Sequence, residues 1–327
     1  MKAEFAIVIL NWNGVALLER FLPSVIEYSE DAAIYVIDNG STDDSLALLA
    51  NKFSQVTIIA LEKNFGFAGG YNLGLAQITE PYLCLLNSDV RVEKGWITDP
   101  LRLLKQVKVG IVQPKILDEK RPEFFEYAGA AGGLLDKLGY PYCRGRRFQS
   151  VEKDQGQYEE PYSIFWATGA CLFIKRSLFN ELGGFDADFF AHQEEIDLCW
   201  RAQRSGYTVW YTPKSRVYHL GGSTLANSNP FKTELNFRNS LLGLIKNAPI
   251  KQLLWVIPIR LVLDGIAGLV FLIEGKPKHT YAILKAHFGF YRMFRKIIGK
   301  RTGNYQVSHQ RSPLSIVFDY YILQKRK

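Results

Sequence analysis

Asn11 and Asn13, Asp38 and Asn39, Lys63 and Asn64, and the run Asn87, Ser88, Asp89 each follow a short apolar run in the N-terminal third of the chain. Amide and carboxylate side chains can hydrogen-bond a base, a ribose or a diphosphate, and a carboxylate can hold a hard divalent cation. Any one such cluster also reads as an ordinary polar turn, and Asp89 as a turn residue. Four in succession favour a shared site. Further along, His219 closes another apolar run, and Glu194, Glu195 and Asp197 crowd the start of a helical segment. An imidazole suits metal ligation and a carboxylate suits general-base work. The plainer readings are a packed or solvated histidine, and acids favoured by a helix dipole. On a helix, Asp197 can pair with Arg201 four residues on, which leaves Glu195 to face a cleft.

These residues need rigid elements to bring them together. FAIVIL (5–10), IYVID (34–38), VTIIAL (56–61) and YLCLL (82–86) are continuous apolar runs, the pattern of strands buried on both faces. Residues 15–28, 43–53 and 68–78 read as helices between them, with Ser41 or Thr42 capping the second and Asp43 and Asp44 in its first turn. Alternating strands and helices predict right-handed crossovers and a parallel sheet covered on both sides. All four polar clusters then fall at the carboxyl edge, where open α/β sheets bind ligands. Residues 113–160 read as loops over that edge. SIFWATGACLFIKR (163–176) reads as a strand pair or one bent strand, 193–205 as a helix, 207–224 as a strand and polar loop, and 236–245 as a helix.

The first strand-to-helix turn is NWNG, without the G-x-G-x-x-G that admits a dinucleotide, and no phosphate-binding G-x-x-x-x-G-K-S/T occurs. Gly66, Gly69 and Gly70 follow the third strand and are a weak signal alone. A chain of 327 residues, 47% hydrophobic, can bury one large domain plus an appendage. Its four cysteines lack C-x-x-C spacing, which fits a reducing, cytoplasmic compartment. The apolar run at the N-terminus is too short for a signal peptide and reads as the first strand. Charge is uneven: residues 251–327 carry 14 Lys/Arg against 3 acids, a local +11 within a net +8. That end seeks an anionic surface.

VILNWNG (8–14), VIDNGSTDDS (36–45), NFGFAGGYNLGL (64–75), LLNSDV (85–90), ATGACLFIKR (167–176), GGFDADFFAHQEEIDLCWR (183–201) and VYHLGGST (217–224) together resemble family 2 glycosyltransferases, in order over about residues 4–245. Among these the chain is most similar to rhamnosyltransferase-type enzymes of bacterial surface polysaccharide synthesis. The resemblance implies a GT-A fold, a doubly wound mixed α/β sheet flanked by helices. It implies inverting transfer from a nucleotide-diphosphate sugar, of the dTDP-rhamnose or UDP-sugar kind, to a lipid-linked saccharide. LLNSDV resembles the family's D-x-D motif with Asn87 at its first acid, so Asp89 remains as a ligand for Mg2+ or Mn2+, with His219 the second. AHQEEIDL resembles E-D-x-D-L, and Glu195 takes the place of the base, a Glu where the family has Asp. By the same resemblance Leu10, Asn11, Asn13, Asp38, Asn64, Gly66, Asn72, Asn87 and Ser88 belong to the donor side. Trp166, Thr168, Gly169, Asp186 and Glu194 belong to the acceptor side, with Trp166 offering a ring for sugar stacking or simply packing in the core. Gly221 and Gly222 suggest close backbone approach or a lid. No Q-x-x-R-W follows, which argues against processive polymerisation. Two alternatives stay open: a nucleotidyltransferase, and a degenerate nucleotide-sugar or carbohydrate binding subunit, since Asn87 and Glu195 replace expected acids.

The expected division is a catalytic domain over 1–245, with a nucleotide half (1–112) and an acceptor half (113–245), and a basic helical region over 246–327. LLWVIPIRLVLDGIAGLVFLI (253–273) is long enough to span a bilayer, but Arg260 and Asp264 interrupt it, which favours an interfacial or re-entrant helical hairpin. In the next helix Leu284, Phe288, Tyr291, Phe294 and Ile298 form one stripe flanked by Lys285, Arg292, Lys296 and Lys300. Such a helix suits peripheral contact with the anionic inner face of the cell membrane; a packing helix at a homodimer contact is the plainer reading. No nucleic-acid-binding module accompanies the charge.

Overall fold

The computed structural model describes residues 3–29, 31–221, 229–302 and 313–325. The first half runs β1 (Phe5–Asn11), α1 (Val15–Glu27), β2 (Ala33–Asp38), α2 (Ser45–Lys52), β3 (Thr57–Ala60), α3 (Gly66–Leu75), β4 (Tyr82–Asn87), β5 (Val90–Val92), α4 (Thr98–Leu104) and β6 (Val109–Asp118). Four short strands follow, β7 (Gly133–Leu135), β8 (Pro141–Cys143), β9 (Arg146–Arg147) and β10 (Ser150–Val151). Then come β11 (Tyr162–Ile164), β12 (Cys171–Lys175), α5 (Arg176–Glu181), α6 (Glu194–Arg204) and β13 (Thr208–His219). The chain closes with α7 (Pro230–Asn247), α8 (Ile250–Ile273), α9 (Pro277–Ile298) and α10 (Ile316–Tyr321).

The main sheet is ordered β11, β13, β6, β12, β4, β1, β2, β3, with β5 added on β13. β4, β1, β2 and β3 are parallel, as their continuous apolar runs predict, whereas β12 enters antiparallel between β4 and β6 and makes the sheet mixed. SIFWATGACLFIKR thus holds two strands that do not pair with each other, β11 at the sheet edge on β13 and β12 at its centre between β4 and β6. α1 lays Leu18, Phe21, Leu22 and Val25 on the sheet, the i, i+3, i+4, i+7 stripe of an amphipathic helix.

Two local readings change. α2 starts at Ser45 with Asp44 at the cap position, so Ser41 and Thr42 do not cap it. Asp43 instead accepts from Val15 N (3.0 Å) and Ser45 N (3.1 Å), tying the first turns of α1 and α2 together. Residues 133–151 are a second, four-stranded sheet rather than loops. α10 docks on it: Ile316 N donates to Asp136 Oδ2 (2.9 Å), and Tyr320 and Tyr321 pack on Phe148.

The C-terminal helices are joined to α6 and to the loop before it through buried charge. Asp197 accepts from Arg201 Nε (2.7 Å), as its spacing predicts, and also from Lys246 Nζ (2.9 Å) and Asn247 Nδ2 (2.7 Å) of α7. Lys246 reaches Asp186 as well (2.7 Å). Removing one partner from a buried ion network strands the others in low dielectric. Lys246→Met, which leaves Asp186 and Asp197 each short of a cation, is expected to cost about 3–5 kcal/mol in chemical denaturation; a loss within error of zero would show the network to be dispensable. α8 and α9 form a hairpin turned at Gly275. Arg260 and Asp264 are buried against the protein: Arg260 donates to Ser240 Oγ (2.9 Å) and Leu138 O (3.2 Å), and Asp264 meets His287 Nε2 at 3.1 Å.

Candidate active site

The carboxyl edge of β1, β2 and β4 is a stitched set of turns. Asn11 is fully buried and donates to Asp38 Oδ1 (3.1 Å), while Asp38 Oδ2 accepts from Ser41 N (3.0 Å). Asn13, at φ +49°, accepts from Thr42 N (2.7 Å) and donates its own N–H to Ser41 Oγ (2.9 Å). Gly14 is required beside them, since a Cβ there would stand 2.4 Å from Asn11 Oδ1. Asn39, on which the sequence reading placed no specific role, is a hub: its amide donates to Asn64 Oδ1 (3.1 Å) and Gly66 O (3.0 Å) and accepts from Phe65 N (3.0 Å). Asn64 Oδ1 also caps Gly66 N (2.8 Å). Leu10 packs against the core beside Gly70.

β4 ends at Asn87, and β5 then pairs antiparallel with the end of β13 so that Val90 lies opposite His219. This register brings the tip of β13 to the turn after β4. His219 Nε2 is 3.1 Å from Asp89 Oδ1 and 3.4 Å from Asn87 Nδ2, and Leu220 N donates to Asp89 O (3.0 Å). The ring's other nitrogen, Nδ1, lies 3.3 Å from Glu126 Oε1. Burial alone would lower the His219 pKa, but the Glu126 and Asp89 carboxylates outweigh it and raise it to about 10. His219 Nε2 and Asp89 Oδ1 thus stand together as an imidazole nitrogen and a carboxylate oxygen, whose chemistry suits a divalent cation. Among the described residues no set of three or more His, Cys, Asp or Glu is arranged to hold a cation, so its other positions would fall to water or phosphate oxygens. Gly222 and the rest of the polar loop through residue 228 lie outside the described residues.

The third component is the loop before α6. Phe190, His192 and Gln193 all have positive φ (63°, 67° and 75°), a strained run for residues with side chains. It is held from two directions: Phe67 N at the start of α3 donates to Phe190 O (3.0 Å), and the fully buried Asn239 of α7 turns its Nδ2 to the carbonyls of Phe189, Ala191 and His192 (2.9, 3.0 and 2.8 Å). Out of this loop α6 presents Glu194 and Glu195, each with an enclosed Oε2 that has no hydrogen-bond partner. Burial raises Glu195 to about 7, with backbone N–H groups opposing, and holds Glu194 well above the carboxylate range. His192 is held near 4 by burial and Lys232, so its ring is neutral.

A family model for glycosyl transferase family 2 matches residues 6–183. The chain belongs to that family. It is 26% identical over 239 residues to an N-acetylglucosaminyl-diphospho-decaprenol L-rhamnosyltransferase of Mycobacterium tuberculosis, covering 67% of this chain and 76% of the relative. A low-salt glycan biosynthesis hexosyltransferase of Haloferax volcanii is 23% identical, covering 74% and 76%. The fold is the GT-A type of its solved neighbours. GalNAc-T7 with UDP, GalNAc and Mn2+ superposes with a TM-score of 0.59 at 19% identity, over 75% of this chain and 48% of the other. The mannosyltransferase of Pyrobaculum calidifontis with GDP-Man and Mn2+ gives 0.56 at 13% identity, over 89% and 88%.

Within this family 2 chain several residues expected at the ligand have structural work instead. Trp166 is buried, lies flat on Gly133 and donates Nε1 to Leu134 O (3.0 Å), so its ring is core rather than a sugar platform. Asn72 spends both ends of its amide on the backbone of Phe185 (2.8 and 2.9 Å), pinning the loop before α6. Asp186 is paired with Lys246 and with Lys300 just past the end of α9 (2.6 Å); burial is outweighed by these cations, which hold it at about 2. Thr168 is buried and accepts from Ala170 N, and Ala170 O in turn receives Asn87 N (3.0 Å), so Thr168 and Gly169 brace the end of β4. Ser88 lies at that same turn, near Gly14. Glu126 was missed: it sits in an irregular stretch with no motif around it.

Proposed function

We propose that this glycosyltransferase is an inverting, metal-assisted enzyme that moves a sugar from a nucleotide-diphosphate donor, dTDP-rhamnose-like or a UDP-sugar, to a lipid-linked saccharide at the cytoplasmic face of a membrane. The observation that carries the reading is the cross-strand pairing that sets His219 against Asp89 beside Asn87 at the carboxyl edge. The mycobacterial relative's name, with its diphospho-decaprenol acceptor and rhamnosyl transfer, supports the acceptor and donor classes.

In this reading Asp38 and Asn11 hold the base and ribose, with Asn13, Leu10, Asn64 and Gly66 shaping the cleft and Ser88 at its rim. Asp89 and His219 would hold Mg2+ or Mn2+, as the Mn2+ of both solved neighbours suggests. When bound, the cation supplies Lewis-acid neutralisation of the leaving diphosphate. Glu195 takes the proton from the acceptor hydroxyl as the hydroxyl oxygen bonds to the anomeric carbon. The bond from that carbon to the diphosphate oxygen breaks and its electron pair leaves with the diphosphate. With one base and no second carboxylate at the sugar, a single displacement inverts the centre. Glu194 and the neutral His192 offer polar atoms to the acceptor's other hydroxyls. Isothermal titration of UDP and dTDP, with and without Mn2+ or Mg2+, tests the reading: metal-dependent binding of one of them is expected, and binding of neither by folded protein overturns it.

The catalytic domain would end with α7, leaving the α8–α9 hairpin to meet lipid. Helix α8 is long and apolar enough to cross a membrane. Its Arg260 and Asp264 turn inward, however, while Leu254 (74% exposed) on α8 and Phe288 (72%) on α9 face outward with Val262, Leu269, Leu284 and Tyr291. An apolar face with Lys285, Arg292 and Lys296 on the same hairpin suits lying on an anionic leaflet. Wild-type protein should sediment with phosphatidylglycerol vesicles and be released by salt, and Leu284→Glu with Phe288→Glu should abolish sedimentation. Undiminished sedimentation of the double variant would exclude this face; a change only in oligomeric state would assign it to a homodimer.

A further inference from the structure

The first acid of the D-x-D-like motif is missing, because Asn87 stands there, yet the cluster around His219 is not short of negative charge. Glu126 lies on a segment far from the motif in sequence and is held firmly. Its neighbour Phe125 is buried and donates its N–H to Glu152 O (3.1 Å), Glu126 N donates to Ile116 O (3.0 Å), and Glu126 Oε2 accepts from Ala128 N. That leaves Oε1 3.3 Å from His219 Nδ1, within ion-pair distance but without hydrogen-bond geometry, while Asp89 meets the ring's other nitrogen. Gly221 makes the space: at φ +65° it passes so close that a Cβ would come within 3.0 Å of Glu126 Oε1. The imidazole thus has a carboxylate beside each ring nitrogen, Glu126 by Nδ1 and Asp89 by Nε2.

From this geometry we infer that Glu126 is the positioning residue for His219: its carboxylate beside Nδ1 holds the ring so that Nε2 faces the cation site shared with Asp89. It also returns, from another element, the charge that Asn87 does not supply. Carboxylates behind a metal-ligating histidine raise its basicity and lock its tautomer, and their loss typically weakens metal binding about 10- to 100-fold. The inference rests on the proposed Asp89–His219 cation site, and the test separates the two.

Free Mn2+ would be followed by its paramagnetic resonance signal in titrations of the full chain with UDP or dTDP present. Glu126→Gln is nearly isosteric and should weaken Mn2+ about 10- to 100-fold, with an unchanged melting curve. Asp89→Asn should lose it altogether. In a His219→Asn background the Glu126→Gln change should add little, because its route of action is already gone. If Glu126→Gln binds Mn2+ like wild type while Asp89→Asn does not, the role of Glu126 is overturned and the cation site stands. If the Glu126→Gln loss is the same with and without His219, the carboxylate does not act through the ring, which also overturns it. If wild type binds no Mn2+, both readings fall.

Discussion

Glu195→Gln should reduce sugar transfer by about 10²- to 10⁴-fold, the range that a general base contributes, while donor affinity stays close to wild type. Glutamine keeps the shape and the hydrogen-bonding end but cannot accept the acceptor's proton. The pH dependence gives a second handle. Enclosure raises Glu195 to about 7, far above a free carboxylate, so the basic form is a minority species below that pH and the majority above it. Turnover in the wild-type protein should therefore climb with pH, about tenfold per unit on the acid side, and level off above about pH 7. In the Gln variant that limb should vanish. Turnover unchanged by the substitution would remove Glu195 from the base role and turn attention to Glu194, whose enclosed Oε2 is also without a partner.

The other large effect concerns Asp89. Replacing it with Asn keeps the turn, because Leu220 N bonds the backbone carbonyl of Asp89 rather than its side chain. What disappears is the one carboxylate left in the D-x-D-like segment. Metal-dependent binding of UDP or dTDP, read by titration calorimetry, should fall by about 10²-fold or more, exceeding the loss expected for an outer carboxylate. Metal-independent binding through Asp38 and Asn11 should persist as a weak remainder. Full metal-dependent affinity in Asp89→Asn would place the cation elsewhere.

Much of this was written in short-range signals. The strands β1, β2 and β4 announce themselves because strands buried on both faces carry unbroken apolar runs, and their polar ends fall at one edge by topology alone. The Asp197–Arg201 pair follows from helical spacing, whereas the four-residue separation of Arg260 and Asp264 puts them on one face of α8 without saying that this face turns to the protein. The small sheet did not show, since its strands are two or three residues long and too short for a period. Glu126, Asn239 and Lys246 were invisible for another reason: each acts on a partner tens of residues away, and no local pattern marks it. Trp166 and Asn72 misled in the opposite direction. An aromatic in an apolar run and an amide in a glycine-rich helix look available for ligands, but the structure spends both on their neighbours.

The grip on the loop from Phe185 to Gln193 has a practical meaning for anyone who recombines such enzymes. The family model ends at residue 183, just short of that loop, and every clamp on its far side comes from later in the chain: Asn239 and Lys246 on α7, Lys296 on α9 and Lys300 just after it. A chimera that grafts only the loop and α6 from a relative would receive the left-handed backbone without the donors that hold it. A unit that carries this loop intact therefore includes α7, α9 and the α3 residues Phe67 and Asn72 that hold its near side, and a junction between residues 183 and 230 cuts through one mechanical piece.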